Sequence, residues 1–434
     1  MSRLNQLIKN FFAYGTAELI SKIAPFLCLP IITRLMPDTE AFGVFTLFTT
    51  ITGIGVTLSL LCLNTAVFRE YFEYNNKEKQ YNVTRTALQI VFFTTLIFSL
   101  ILIIFNKNLS LMFFNDSRYN TIVILSGVSV FFTTNNYLIE LPTRLQNHRK
   151  ILLLSKLLSS LVYYGVILYL IYLGYTYYSI VFASIFTGII LFVFFGIRNK
   201  DFFLKGNFNK DISKNLLKIG LPLLPASIMY WLYSMISTVI ITHFLSLSDL
   251  GVFSIGLKVA RIGNVFTAVL TASLTHFIYS RINDIDYKSI MGNLFEKTYL
   301  LTISFYIILY IFKDVIFNLF ASGDYQKGIE VFPCLLLVPL LSFLKYFLLT
   351  QFIVIKKTIF QFFFLLFDCV FLFFLSYFLL QSKGILGVAI ANVIVSFTSL
   401  VLVMVYVDYI KRLIILPKRT YLWLILFVAV VILI

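Results

Sequence analysis

The chain has 434 residues, of which 60% are hydrophobic and 12% charged, with a formal net charge of +16. Soluble domains carry about a quarter charged residues, so a water-surrounded globular fold is excluded. So is a β-barrel, whose spans would alternate over segments of about 10 residues. The apolar runs here are long and continuous, which leaves an all-α polytopic membrane protein, since helices satisfy their own backbone in lipid.

At about 20 apolar residues per span, the runs predict twelve helices, over 11–33, 41–67, 86–105, 120–142, 151–173, 176–196, 215–243, 251–278, 298–319, 331–354, 359–380 and 385–407. The apolar tail 421–434 is short for a span and reads as an interfacial helix or as the start of a thirteenth. Residues 11–33 are too long for a signal-peptide core, carry Glu18 and Lys22, and end without a small-residue cleavage site. They are therefore expected to remain as the first span.

The chain repeats itself. Lys9-Asn10 and Gly15 return as Lys214-Asn215 and Gly220, 205 residues later. Ile31-Ile32-Thr33-Arg34 returns as Ile240-Ile241-Thr242-His243, Gly43-Val44-Phe45 as Gly251-Val252-Phe253, and Arg149-Lys150 as Lys356-Lys357. Marks in one order at nearly one spacing indicate two copies of one unit. Six helices per copy make the repeat parallel. The expected organisation is a six-helix lobe over 1–197, a cytoplasmic linker over 198–214, a second six-helix lobe over 215–407, and a basic loop with a short apolar tail over 408–434.

With the N-terminus placed in the cytoplasm, the inside segments hold 24 Lys and Arg residues and the outside loops 5, the other 6 of the 35 lying within spans. The positive-inside rule then puts both ends of a twelve-helix chain in the cytoplasm. The positive charge reads as topology and attraction to anionic membrane lipids. A nucleic-acid partner is not expected, because these residues are dispersed over short loops. Cys28, Cys62, Cys334 and Cys369 lie in apolar runs without ligand spacing, and His148, His243 and His276 are scattered, so neither metal nor cofactor is expected. No glycine-rich phosphate loop, ATPase signature or nucleophile elbow occurs. The expectation is a non-enzymatic activity inside the membrane.

A Lys, Arg or Asp at the centre of a span costs roughly 2.5–3.5 kcal/mol on insertion scales and usually faces a wet cavity or a partner. Six cations lie within the predicted spans, Lys22, Lys156, Lys258, Arg261, Lys313 and Lys345, against four acids, Glu18, Glu140, Asp314 and Asp368. Lys22 lies about 16 Å into its helix at 1.5 Å per residue. Glu18 and Lys22 stand at i,i+4, an order that fits mutual neutralisation as well as a lumenal role. Lys258 and Arg261 share a helix face, and two like charges there fit an anionic guest or an acid across the bundle such as Asp368. Lys345 is deep. Lys156 and Glu140 lie nearer the cytoplasmic boundary, within reach of snorkelling. Pro25 and Pro30 in the first helix of one repeat, and Pro222 and Pro225 in the first helix of the other, are candidate hinges or static kinks. Asn64, Asn135, Asn136, Asn264 and Asn392 fit sugar hydroxyls or, more commonly, helix–helix hydrogen bonds.

The stretch Lys9-Asn10…Gly15…Leu29-Pro30-Ile31-Ile32-Thr33-Arg34-Leu35…Gly43-Val44-Phe45 resembles the N-terminal pattern of polysaccharide exporters of the O-antigen flippase type. So do Gly220-Leu221-Pro222-Leu223-Leu224-Pro225 and Leu250-Gly251-Val252-Phe253-Ser254-Ile255-Gly256-Leu257-Lys258, and Arg144-Leu145-Gln146-Asn147-His148-Arg149-Lys150 fits the loop after the fourth helix. Their superfamily also holds multidrug extruders and the lipid-linked peptidoglycan precursor flippase. The resemblance implies two six-helix lobes around a central cavity, and a flippase that moves an undecaprenyl-pyrophosphate-linked oligosaccharide from the cytoplasmic to the periplasmic leaflet of a bacterial inner membrane. Lys22, Lys156, Lys258, Arg261 and Lys345 would then line a cationic lumen for the pyrophosphate. A proton- or sodium-coupled cycle is compatible with it, with Glu18 and Asp368 as candidate carriers and Glu140 as a charge partner. A polysaccharide polymerase and a chain-length regulator are the partners implied. The alternatives are a drug antiporter of the same superfamily, disfavoured because cations outnumber acids in the spans, and a membrane polymerase, disfavoured because the outside loops are short and nearly bare.

Overall fold

The structure is a computed structural model and describes residues 24–424, apart from single positions at 75, 283, 356 and 358 and a few side chains between 272 and 280. Glu18 and Lys22, and the apolar tail from 425 on, lie outside the described residues. The regular elements among the described residues are all helices, without a strand. They group into two compact units, one ending at Gly251 and the other beginning at Val252.

Unit 1 contains α1 (Ala24–Leu35), α2 (Thr39–Leu60), α3 (Leu63–Glu73), α4 (Lys77–Ile104), α5 (Asn106–Phe114), α6 (Asn120–Ile139), α7 (Leu141–Leu145), α8 (Arg149–Tyr172), α9 (Tyr177–Arg198), α10 (Lys200–Leu204), α11 (Lys210–Gly220) and α12 (Leu224–Phe244). Side-chain caps start several of them: Asp38 accepts from the Glu40 N–H at 2.9 Å, Asn76 from Glu78 at 2.8 Å, and Asn209 from Asp211 and Ile212 at 2.9 and 3.1 Å. Each satisfies amide groups that the first helical turn leaves without partners. The central helix is α6, packed by α2, α4 and α9. Its polar positions bond to neighbouring helices. Asn136 Nδ2 donates to Gly188 O at 2.9 Å, Ser99 Oγ donates to Gly127 O at 2.8 Å, and Ser129 and Ser184 hydroxyls meet at 3.1 Å. Asn136 therefore takes the helix-joining role. Asn135 instead bonds back to Phe131 O in its own helix at 2.8 Å.

Several predicted single spans are broken. The second contains a break at Leu61 and Cys62, two successive non-glycine residues at φ 51° and 55°, a conformation that costs roughly 1–2 kcal/mol per residue. The break packs against the junction of α11 and α12, where a 3₁₀ turn, Leu221–Leu223, carries Pro222, and Pro225 opens α12. Cys62 Sγ lies 3.2 Å from Ser227 Oγ, and a Cβ on Gly220 would sit 2.6 Å from Leu61 O. Pro25 and Pro30 lie within α1.

Residues 198–214, expected as a linker, are mostly helix and are fastened to α4. Asn207 N–H donates to Asn82 Oδ1 at 2.7 Å, Asn209 N–H to Thr86 Oγ1 at 3.1 Å, and Thr84 Oγ1 to Phe202 O at 3.3 Å. Phe202 and Phe203 are buried with Ile212 and Leu216 in an apolar cluster shared with α3, α4, α6 and α7. The charge of this segment marked it as a surface connection, while its alternating apolar residues anchor it. At the other end of the unit, α2 crosses the first turn of α13 (Leu247–Ala260) backbone to backbone. A Cβ on Gly43 would lie 2.0 Å from Leu247 O, and one on Gly251 would lie 1.8 Å from Thr39 O. These glycines are the two copies of one repeat position, and each is the only residue type that admits such an approach.

Unit 2 holds the rest of α13 and then α14 (Ile262–Ser280), α15 (Tyr287–Ile311), α16 (Lys313–Phe320), α17 (Phe332–Val354), α18 (Ile359–Val405) and α19 (418–424). The central helix is α17, packed by α14, α15 and α18, with Leu336, Leu344, Leu348 and Phe352 wholly buried. α18 is two spans joined at Gly384, whose φ of 54° and ψ of −136° reverse the chain. A Cβ on Gly387 would meet Leu379 O at 2.1 Å, so the two halves touch just beyond the turn. Counting α18 twice, eleven of the twelve predicted spans lie among the described residues, and α1 is the described part of the first. The ninth begins earlier than predicted, at Tyr287, and after α18 residues 411–417 fold back on it: Ile415 N–H donates to Lys288 O at 3.1 Å.

Candidate functional site: charged groups within the spans

The charged residues of the spans resolve into three arrangements. In unit 1, Glu140 at the end of α6 and Lys156 on α8 form an ion pair at 3.1 Å, with the lysine side chain 40% exposed. The charge of Lys156 has an acidic partner at hand.

In unit 2, Lys345 on α17 meets Asp368 on the first half of α18. Its ammonium also donates to Ser399 Oγ on the second half at 3.3 Å. The side chain of Asp368 is 1% exposed and that of Lys345 13%. Lys345 was expected as a lumenal cation for substrate and Asp368 as an ion carrier or a partner for Lys258 and Arg261. The structure instead joins Lys345 and Asp368 to each other, 23 positions apart in sequence. Removing one member of such a pair leaves an uncompensated buried charge, a loss of roughly 3–5 kcal/mol.

Lys258 and Arg261 lie where α13 gives way to α14. The helix breaks at Arg261, whose N–H is shared between Leu257 O and Lys258 O, both at 3.2 Å, and whose carbonyl accepts from Asn264 N–H at 2.9 Å. Arg261 lies about 21 Å along from Leu247 at 1.5 Å per residue, deep for a guanidinium. Lys258 is half-buried and Arg261 exposed. A Cβ on Gly263, next to the break, would lie 3.0 Å from Pro339 Cγ of α17. Pro339 lies in the middle of α17, a proline outside the first helix of either repeat. Lys313, at the start of α16, lies over the Tyr310 ring at 4.6 Å, a cation–π contact.

Two buried acids went unnoticed in the sequence. Glu70 on α3 accepts from Tyr74 OH at 2.9 Å and Asn215 Nδ2 at 3.1 Å, joining α3 to α11. Its carboxylate, first through that hydrogen bond and then with burial, raises the Tyr74 hydroxyl above its ordinary pKa. Glu296 on α15 is held by Arg419 at 2.6 Å. Both lay just beyond the predicted span ends, where acids read as loop residues. The signal that could have found them is the apolar periodicity continuing past those ends, as in Leu63, Ala66, Val67 and Tyr71. Outside the spans, the Arg118 backbone N–H and guanidinium hold the Asp116 carboxyl below its usual range.

This architecture defines the class: a polytopic helical membrane protein with the fold of MOP superfamily transporters. The lipid II flippase MurJ in an inward closed conformation superposes with a TM-score of 0.73 at 13% identity, over 95% of this chain and 89% of that one. An inward-facing MATE family multidrug transporter gives 0.65 at 16%, over 90% and 96%. A MOP superfamily transporter from Pyrococcus furiosus, described by the reverse polarity of its binding pocket, gives 0.61 at 14%, over 93% and 96%. No curated protein sequence matches the chain. Residues 7–279, well over half of its length, match the polysaccharide biosynthesis protein family, and the chain belongs to that family.

Proposed function

We propose that this protein is a flippase that carries an undecaprenyl-pyrophosphate-linked oligosaccharide, an O-antigen or related repeat unit, from the cytoplasmic to the periplasmic leaflet of a bacterial inner membrane. The observation that carries the reading is the cation pair Lys258 and Arg261, one turn apart at a helix break deep in a span. A pyrophosphate crossing a low-dielectric layer needs positive groups along its path, and charge-assisted hydrogen bonds to phosphate are the strong ones. The family supports a role in polysaccharide biosynthesis, and the likeness in fold to a lipid II flippase supports a lipid-linked cargo. The pocket described as reversed in the Pyrococcus furiosus transporter agrees with lumen polarity varying within this fold.

In this reading the N-terminus is cytoplasmic, as the Lys and Arg distribution indicates. Pro25 and Pro30 in α1, and Pro222 and Pro225 at the junction of α11 and α12, are hinges of an alternating-access cycle. A polymerase and a chain-length regulator act on the product. The test is complementation by Lys258→Ala/Arg261→Ala: wild-type abundance in the membrane with transport lost is expected, and full transport by the double variant would remove this site from the account.

A further inference from the structure

The transport reading gives no work to the buried pair in unit 2, and its geometry suggests a distinct one. Lys345 reaches from α17 to two oxygens that come from different halves of the α18 hairpin, Asp368 Oδ2 before the Gly384 turn and Ser399 Oγ after it. The second carboxylate oxygen, Asp368 Oδ1, is buried and accepts no hydrogen bond from the described residues. Asp368 is itself wholly buried. A carboxyl in such a place stays ionised only beside a positive partner, and otherwise takes up a proton.

The kind of partner matters. A lysine head is a compact point charge, with no fork to match a carboxylate and no acceptor of its own. It stands here between a carboxylate oxygen and a hydroxyl oxygen, with a further carboxylate oxygen beside it. Oxygen-only ligation around a compact monovalent charge is the environment that hard cations take. The ammonium is carried in on a neighbouring helix, so the charge is supplied by the chain.

We propose that Lys345 is a tethered counter-cation: its ammonium occupies an oxygen site, built by Asp368 and Ser399 across the α18 hairpin, that takes an alkali cation when the lysine side chain is removed. The intact protein then keeps the hairpin neutral without drawing an ion from solution at this site.

The experiment is Lys345→Ala in the full chain, purified in choline chloride and titrated with LiCl, NaCl or KCl at constant ionic strength while thermal unfolding is followed. The expected result is a saturable rise in Tm of about 5–10 °C with at least one alkali cation. Wild type and Lys345→Ala/Asp368→Asn should show no response beyond that to choline. Recovery of folded Lys345→Ala only when alkali salt is present throughout purification would support the site equally. A Lys345→Ala protein that answers alkali salts and choline alike overturns the proposal. So does one that fails to fold in every salt while the double variant folds. The readout needs no lipid-linked sugar, so its failure leaves the flippase reading untouched, and failure of the flippase reading leaves the cation result to be judged alone.

Discussion

Replacing Gly251 by alanine tests the backbone crossing that closes one end of unit 1. The added Cβ would lie 1.8 Å from Thr39 O and 3.2 Å from Gly43 N. An ordinary carbon–oxygen contact is about 3.4 Å, so α2 and the first turn of α13 must move apart by about 1.5 Å, since backbone has no rotamer to yield. Overpacking of this kind costs about 1–3 kcal/mol. The same movement parts the Thr39 and Ser248 hydroxyls, which hydrogen-bond across the crossing, at a further cost of about 1 kcal/mol. The sum is about 2–4 kcal/mol, or roughly 5–15 °C in Tm for a unit of this size. Gly43→Ala meets Leu247 O at 2.0 Å and should cost about the same. One separation relieves both clashes, so Gly43→Ala/Gly251→Ala should cost little more than either alone. Thermal unfolding of the purified proteins measures the cost. Disulfide trapping between Thr39→Cys and Ser248→Cys, with the four native cysteines replaced, measures the separation and should slow sharply in the alanine variants. A Gly251→Ala protein with wild-type Tm and wild-type trapping would refute the reasoning.

The remaining predictions concern the charged groups. Glu70→Gln keeps an oxygen for Tyr74 and Asn215 and should cost little, whereas Glu70→Leu loses both hydrogen bonds and should cost about 1–3 kcal/mol in thermal unfolding. Because Glu70 raises the Tyr74 pKa from its ordinary value of 10.0, the stability from this bond is fully present below that value. It is lost as pH climbs through the raised one, and Tyr74→Phe should remove that alkaline component from a Tm-against-pH profile. Lys156→Gln breaks a partly exposed pair and should cost no more than about 1 kcal/mol.

The spans were legible because lipid leaves no ambiguity about a run of 20 apolar residues, and eleven of the twelve lie among the described residues with part of the first. The breaks were not. Leu61 and Cys62 carry no glycine or proline to announce a left-handed turn, and Arg261 interrupts a helix with none nearby before Gly263. The repeat was visible as matched motifs, but that Gly43 and Gly251 touch could be learned only from the fold. For the charges, depth was estimated by counting residues, and Asp368 is wholly buried within the fold. The pairing of Lys345 with Asp368 was not legible, because 23 residues and a helix reversal separate them. Glu70 and Glu296 were missed because helices continue into water past the apolar run, where hydropathy no longer distinguishes a packed helix end from a loop. The segment 198–214 shows the same limit, its charged residues masking the apolar ones that anchor it.

The central claim is movement of a lipid-linked oligosaccharide between leaflets, and its most direct measurement is the location of that lipid in cells lacking this protein. The account predicts complete repeat units, linked to the polyprenyl pyrophosphate, retained in the cytoplasmic leaflet. They should be released to the outer leaflet when the wild-type protein is restored and not when Lys258→Ala/Arg261→Ala is supplied. Repeat units reaching the outer leaflet in its absence would contradict the account: if they stayed unpolymerised the protein would be a polymerase, and if lipid-linked sugars were unchanged and drug susceptibility rose it would be an antiporter.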